Sequence, residues 1–262
     1  MRFAYRVVDV FTDRPLTGNA LCVVLDPVPP PVMAALAREV NLSETAFPVV
    51  VADGEYEVRI FTPGEELPFA GHPTLGTAWV LGPGRWTQRS EGATVVVDAT
   101  TEGAVMEAPE PVFEEVDPGP AVAALGLPGA EAAVVAEAGG MRHLLVPTEA
   151  PLGRIAPDLV AIAEVQRRHR TTSVAPVRCL DDRTLHARVF CPGAGIPEDP
   201  GTGSAAGPFG RLARQRWAVD ADLTIRQGDE IGRPCRITVH AGETTLQVGG
   251  AVAACAEGHF TL

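Results

Sequence analysis

Residues 60–78, IFTPGEELPFAGHPTLGTA, and residues 189–207, VFCPGAGIPEDPGTGSAAG, are two versions of one pattern. Phe61, Pro63, Gly64 and Pro68 fall on Phe190, Pro192, Gly193 and Pro197 at a constant offset of 129, and one inserted residue later Gly71 falls on Gly201 at an offset of 130. Each copy reads as strand, Pro-Gly turn, second proline, glycine loop and helix start. The repeat predicts two structural duplicates, with a site between them that receives one glycine loop from each side. Clefts of this kind are common ligand sites.

Strand-like runs surround both copies: FAYRVVDVF, NALCVVL, AFPVVV and YEVRIF before the first, then AAVVAEA, TLHARVF, LTIRQ and TTLQV. Helix-like stretches are fewer. PPVMAALAREV opens on two prolines and has one apolar face, while SAAGPFGRLARQRW follows the second loop, with Pro208 expected in its first turn or bending it. The reading is α+β with strands in the majority. Pro and Gly concentrate in APEPVFEEVDPGP, residues 108–120, which reads as a linker. The expected domains are therefore residues 1–115 and 116–262, with the last ten or so residues able to cross back to the first half.

Composition narrows the function. The 262 residues carry a formal charge of −12, which disfavours nucleic acid and anionic membranes, because affinity for phosphates comes largely from Lys and Arg. No stretch approaches 18 consecutive apolar residues and the N-terminus lacks a signal-peptide pattern, so no membrane association is expected. Five cysteines form no CxxC pair, which suits a reduced cytoplasm, and each reads as a small buried apolar residue. His143, His169, His186, His240 and His259 lack metal-ligand spacing and read as structural or solvated. RRHR, residues 167–170, reads as the polar end of a helix.

The second glycine loop admits several chemistries. Gly201, Gly203 and Ala206 satisfy a dinucleotide fingerprint, with Asp220 or Asp222 placed for a ribose, but the three prolines of CPGAGIPEDP separate the loop from its strand. A Walker loop lacks its lysine, and Ser204 directly after Gly203 breaks the nucleophile elbow. What remains is an anion site of open backbone N–H groups at a helix start, with Thr202 and Ser204 as hydroxyl donors or helix caps. Asp199 beside such a site suggests a catalytic duty or a retained proton. His72 occupies the place in the first loop that Thr202 occupies in the second. Glu44, in NLSETAF, is by composition an ordinary solvated acid.

Together VVDVFTDRPLTGNALCVVL, NLSETAF, IFTPGEELPFAGHPTLGTA, EDPGTGSAAG and QGDEIGRPCRITV resemble the PhzF family of phenazine-biosynthesis isomerases, over nearly the whole chain. The resemblance implies a diaminopimelate epimerase-like fold of two pseudo-symmetric domains, each a curled, mainly antiparallel sheet around a central helix. It also implies a homodimer with no metal or organic cofactor. By the resemblance Glu44 carries a proton between carbons of a small carboxylic acid such as trans-2,3-dihydro-3-hydroxyanthranilate, with His72 and Asp199 as the other acid/base and orienting groups. Asn19, Ser43, Gly71, Thr202, Gly203 and Ser204 match substrate-binding positions. Related racemases place two cysteines before the glycine loops; here Ala70 and Pro200 stand there, which excludes a two-thiol mechanism. The other function class compatible with these residues is a catalytically silent carboxylate-binding protein on the same fold.

Overall fold

The computed structural model describes all residues except 128 and 131. The first lobe runs β1 (Arg2–Val10), β2 (Asn19–Val24), α1 (Pro30–Val40), β3 (Glu44–Ala52), β4 (Glu55–Phe61), β5 (Glu66–Leu67), α2 (Gly71–Leu81), β6 (Gly84–Arg89), β7 (Thr94–Ala99) and β8 (Gly103–Glu107). Then follow β9 (Val112–Val116), α3 (Gly119–Leu125), β10 (Ala133–Ala138), β11 (Met141–Pro147), α4 (Leu159–His169), β12 (Ser173–Asp181), β13 (Thr184–Ala187), β14 (Val189–Cys191) and β15 (Ile196–Asp199). The chain closes with α5 (Gly203–Trp217), β16 (Asp222–Gln227), β17 (Cys235–Ala241) and β18 (Leu246–Thr261).

The duplication extends well beyond the glycine loops. In each lobe a strand pairs in parallel with the strand after the next helix: Leu21 of β2 lies beside Glu44 of β3, and His143 of β11 beside Ser173 of β12. The returning strand is antiparallel in both, pairing Thr45 with Phe61 and Val174 with Phe190. Even the helix ends agree, because α1 stops at Asn41 and α4 at Arg170, both left-handed caps whose N–H bonds back into the last turn. Glu44 and Ser173 are therefore counterparts at the offset of 129.

Helix α2 and the first two turns of α5 are buried on nearly every side and form the two lobe centres. Their first residues abut: a methyl on Gly203 would lie 2.9 Å from the Gly71 carbonyl carbon, so only glycine permits this approach. That contact corrects the register read from sequence. Gly71 matches Gly203, not Gly201, and His72 matches Ser204, not Thr202. The second loop carries three residues more than the first, not one. Pro208 lies inside α5 beyond its first turn, and the stretch read as a linker contains β9 and the start of α3.

One core joins the lobes, with Leu21, Ile60 and Leu75 in the same buried cluster as Val177, Phe209 and Ile237. Separate clusters under α1 and under α3 and α4 seal the outer faces. β9, across which the expected 115/116 boundary falls, pairs with β10. β18 pairs with β17 and β8, then runs along β1 from Val10 opposite Val252 to Arg2 opposite Thr261. Among the described residues no helix is long and apolar enough to cross a membrane.

Candidate active site

Glu44 is the first residue of β3, and its pairing with Leu21 fixes the carboxyl at the seam between the lobes. His72 is the second residue of α2. Its Nε2 lies 3.3 Å from Glu44 Oε2, and neither atom has a hydrogen-bond partner. Asp199 reaches the same place from the second lobe through strand alternation at the end of β15. Its neighbour Glu198 turns away into a two-pronged pair with Arg188, at 2.8 and 2.7 Å, while Arg188 also donates to the carbonyls of Leu152 and Ile155. Of the two acids in the EDP motif, only Asp199 faces the seam.

Asp199 is held by donors. Asn19 Nδ2 donates to Oδ1 at 2.9 Å and Thr202 Oγ1 to Oδ2 at 2.5 Å, and the nearby Ser43 side chain also favours the charged form. Gln227 fixes the loop, donating to the Asp199 carbonyl and to Thr202 Oγ1 while accepting from the Thr202 N–H. Asn19 ties both lobes together, since the same nitrogen donates to the Gly201 carbonyl at 2.9 Å and lies 3.2 Å from His72 Nδ1. Two amide hydrogens serve the two shorter bonds. The Ala20 carbonyl also lies near the ring and favours a hydrogen on it; a hydrogen placed on Nδ1 would serve that carbonyl and leave the unpartnered Nε2 as an acceptor facing Glu44.

Burial dominates the electrostatics. It pushes the Glu44 carboxyl well above the usual carboxylate range, and the Asp199 charge pushes it further. Burial also raises Asp199, against its bonds from Thr202, Asn19 and Ser43. His72 is pushed down to about 3 and His143 to about 4, again by burial, so both rings are neutral at pH 7.

These groups enclose a chamber of about 40 Å³, room for a few waters at most. Glu44, Gly71, His72, Asp199, Thr202, Gly203 and Ser204 all line it. Asn19 and Ser43 stand behind the wall and act through Asp199 and His72. Both helices begin at the chamber without a side-chain cap, so two sets of first-turn amides and the positive ends of two helix dipoles converge there. A wider cleft of about 390 Å³ lies outside and shares Leu67, Met141, Thr172 and Ala194 with the chamber.

Two titratable residues of the lining were not singled out by the sequence reading. His143 is buried in the wall and not solvated; carrying the repeat upstream, so that MRHLLV falls on NALCVV, finds it opposite Leu21. Cys191 also faces the chamber, and burial with the nearby Asp199 and Glu44 charges pushes its thiol up, so it keeps its proton. The cysteines are not uniformly buried: Cys22 and Cys235 are, Cys179 and Cys191 are half-buried, and Cys255 is exposed. In the corrected register the residues preceding the two helix-start glycines are Ala70 and Thr202, neither a thiol. Among the described residues no group of three or more His, Cys, Asp or Glu is placed to hold a metal ion.

Residues 8–258 match the PhzC-PhzF family, phenazine biosynthesis-like protein. A trans-2,3-dihydro-3-hydroxyanthranilate isomerase from Pseudomonas aeruginosa is 37% identical, the match covering 98% of this chain and 99% of the relative. A solved structure of a predicted epimerase from the same species superposes with a TM-score of 0.84 at 30% identity, covering 99% of both chains. The hydroxyproline epimerase of Agrobacterium vitis shares the fold at a TM-score of 0.70 and 11% identity, covering 100% of this chain and 93% of the other.

Proposed function

The chain belongs to the PhzC-PhzF phenazine biosynthesis-like family and is an isomerase, and from that premise we propose that it moves a proton within a small cyclic or unsaturated carboxylic acid similar to trans-2,3-dihydro-3-hydroxyanthranilate. The reaction uses no cofactor, and Glu44 is the acid/base. One observation carries this reading: a carboxyl with a raised pKa faces two uncapped helix N-termini inside one enclosed chamber.

The amides of Gly71, Gly203 and Ser204 receive the substrate carboxylate. Glu44 then takes a proton from a substrate carbon and returns it to another carbon of the same conjugated system. Its raised pKa serves both steps, because a carboxyl less acidic than usual is a stronger base toward the substrate carbon and returns the same proton as an acid. The bare His72 Nε2 accepts a hydrogen bond from protonated Glu44 and steadies it between the two transfers. Asp199, fixed by Asn19, Ser43 and Thr202, orients the substrate's polar substituents.

A ring does not fit in about 40 Å³, so the lobes, divided near residues 115 and 116, part to admit substrate through the outer cleft and close before chemistry. Closure excludes water from the travelling proton. The same reading takes the working protein as a cytoplasmic homodimer.

Incubation with trans-2,3-dihydro-3-hydroxyanthranilate in D₂O, followed by mass spectrometry and ultraviolet absorbance, tests the proposal. Consumption of the substrate, with deuterium at the reprotonated carbon to the extent that Glu44 exchanges with solvent, is the expected result. A raised melting temperature with the compound unchanged identifies a silent binder instead.

A further inference from the structure

His143 is a buried titratable group of the chamber wall that this mechanism leaves unused. Its Nδ1 lies 2.8 Å from Ser173 Oγ and its Nε2 3.1 Å from Ser204 Oγ. The duplication gives the arrangement meaning. Ser173 stands where Glu44 stands in the other lobe, and Ser204 where His72 stands. In the first lobe an acid and an imidazole meet directly. In the second, both places hold hydroxyls, and the His143 ring, at the place of Leu21, bridges them.

Hydrogen-bond accounting selects one tautomer. A neutral imidazole has one donor and one acceptor. Ser173 is fully buried, and among the described residues its hydroxyl has no partner besides Nδ1. If Nδ1 carried the hydrogen, the Ser173 O–H would be orphaned in the interior. Ser173 therefore donates to Nδ1, and the hydrogen resides on Nε2, which donates to Ser204 Oγ. The Ser204 O–H is left free, and Ser204 lines the chamber. Free to turn inward beside the open amides of α5, it adds a hydroxyl donor to theirs, from the lobe opposite the Glu44 carboxyl. The opposite tautomer would spend the Ser204 proton on His143 and present oxygen lone pairs to an anion.

We propose that His143 is a positioning residue which, through the chain Ser173–His143–Ser204, commits the Ser204 hydroxyl to donate to the ligand's anionic group. The inference rests on the reading of the chamber as a carboxylate site given above. It adds the residue that decides whether this wall attracts or repels that carboxylate.

The tautomer can be read on the ligand-free protein by long-range proton–nitrogen correlation after ¹⁵N-histidine labelling, with the His143 signals identified by their loss in His143→Gln. At pH 7 a protonated Nε2 and a bare Nδ1 are expected; a hydrogen on Nδ1, or an imidazolium, overturns the proposal. Calorimetry with anthranilate and with uncharged anthranilamide supplies the second readout. Ser204→Ala should weaken anthranilate by about tenfold and leave anthranilamide within about twofold. Ser173→Ala, which does not line the chamber, should weaken anthranilate in the same direction; unchanged affinity there overturns the positioning role. Failure of anthranilate to bind the unaltered protein sinks the carboxylate reading and the donor role with it, while the tautomer result stands apart from any measurement of turnover.

Discussion

His72 Nε2 lies 3.3 Å from Glu44 Oε2 without a hydrogen bond, and both atoms lack any other partner. Buried polar atoms are paired almost everywhere in folded proteins, so two bare ones face to face leave hydrogen-bonding capacity unmet on both sides. Adding one proton to Glu44 resolves the conflict, because the ring nitrogen is then its acceptor. The carboxyl is the mobile member of the pair and the imidazole the fixed one.

Glu44→Gln therefore removes the proton carrier while keeping its shape and its ability to donate to His72. Turnover of trans-2,3-dihydro-3-hydroxyanthranilate should fall by at least about 10². Anthranilate affinity, measured by calorimetry, should stay within about threefold. Activity at the unaltered level would take Glu44 out of the mechanism.

The same substitution should stabilise the fold at neutral pH. The folded-state pKa of Glu44 is raised, so the folded chain holds a proton that the unfolded chain releases, and the stability this contributes is complete below about 4.5 and lost as pH rises through the folded value. Glutamine has no proton to lose. Relative to the unaltered protein, Glu44→Gln should gain about 1 kcal/mol or more at pH 8, and the gain should vanish near pH 4. Urea unfolding at the two pH values measures it.

The buried histidines act with the opposite sign. His72 and His143 have folded-state values depressed to about 3 and about 4, below the value of about 6.5 for the unfolded chain. Their contribution is complete above pH 6.5 and declines as pH falls toward the folded values, because the unfolded chain binds the protons first. The histidine contribution should drop by a few kcal/mol between pH 7 and pH 4, opposed by the gain from Glu44, and relative to the unaltered protein the urea midpoint of His143→Gln should fall less steeply over that range.

Much of this architecture was legible in the sequence because the repeated Phe, Pro and Gly positions carry backbone geometry that a strand and its turn require. The register of the glycine loops was not. Gly201 and Gly203 look alike in sequence, and only the packing of α2 against α5 distinguishes the one that starts a helix. Glu44 shows no local sign of its proposed role, since its burial comes from a lobe seam that no short window contains and the Asp199 charge that acts on it is remote along the chain; family resemblance alone points to it. Metal-ligand spacing carries no signal for His143, because its partners are two serines distant in the chain.

Gly203→Ala should be destabilising and inactivating together. Its methyl would sit 2.9 Å from both the Gly71 carbonyl carbon and the His72 nitrogen, closer than backbone atoms tolerate, so the two helix starts must separate. Overpacking of this kind costs about 1–3 kcal/mol. It also displaces His72 and Ser204 from one another. Loss of anthranilate affinity alongside a lowered melting temperature is the expected pair of results, and a normal melting temperature would refute the helix contact.

Glu198 neighbours Asp199 yet belongs to the framework, and a double-mutant cycle can separate the two roles. Its carboxylate and the Arg188 guanidinium are each about nine-tenths buried, paired at 2.7 Å, and the guanidinium also packs over Phe190. Arg188→Met strands an interior carboxylate, with an expected loss of about 3 kcal/mol. Arg188→Met with Glu198→Leu removes both charges and leaves no interior charge stranded, while the Leu152 and Ile155 carbonyls lose their donor in both variants, so the pair should be less destabilised than the single variant. Were the double variant the worse of the two, the ion pair would be a net source of stability, and the orientation of β15 would rest on charge in place of packing.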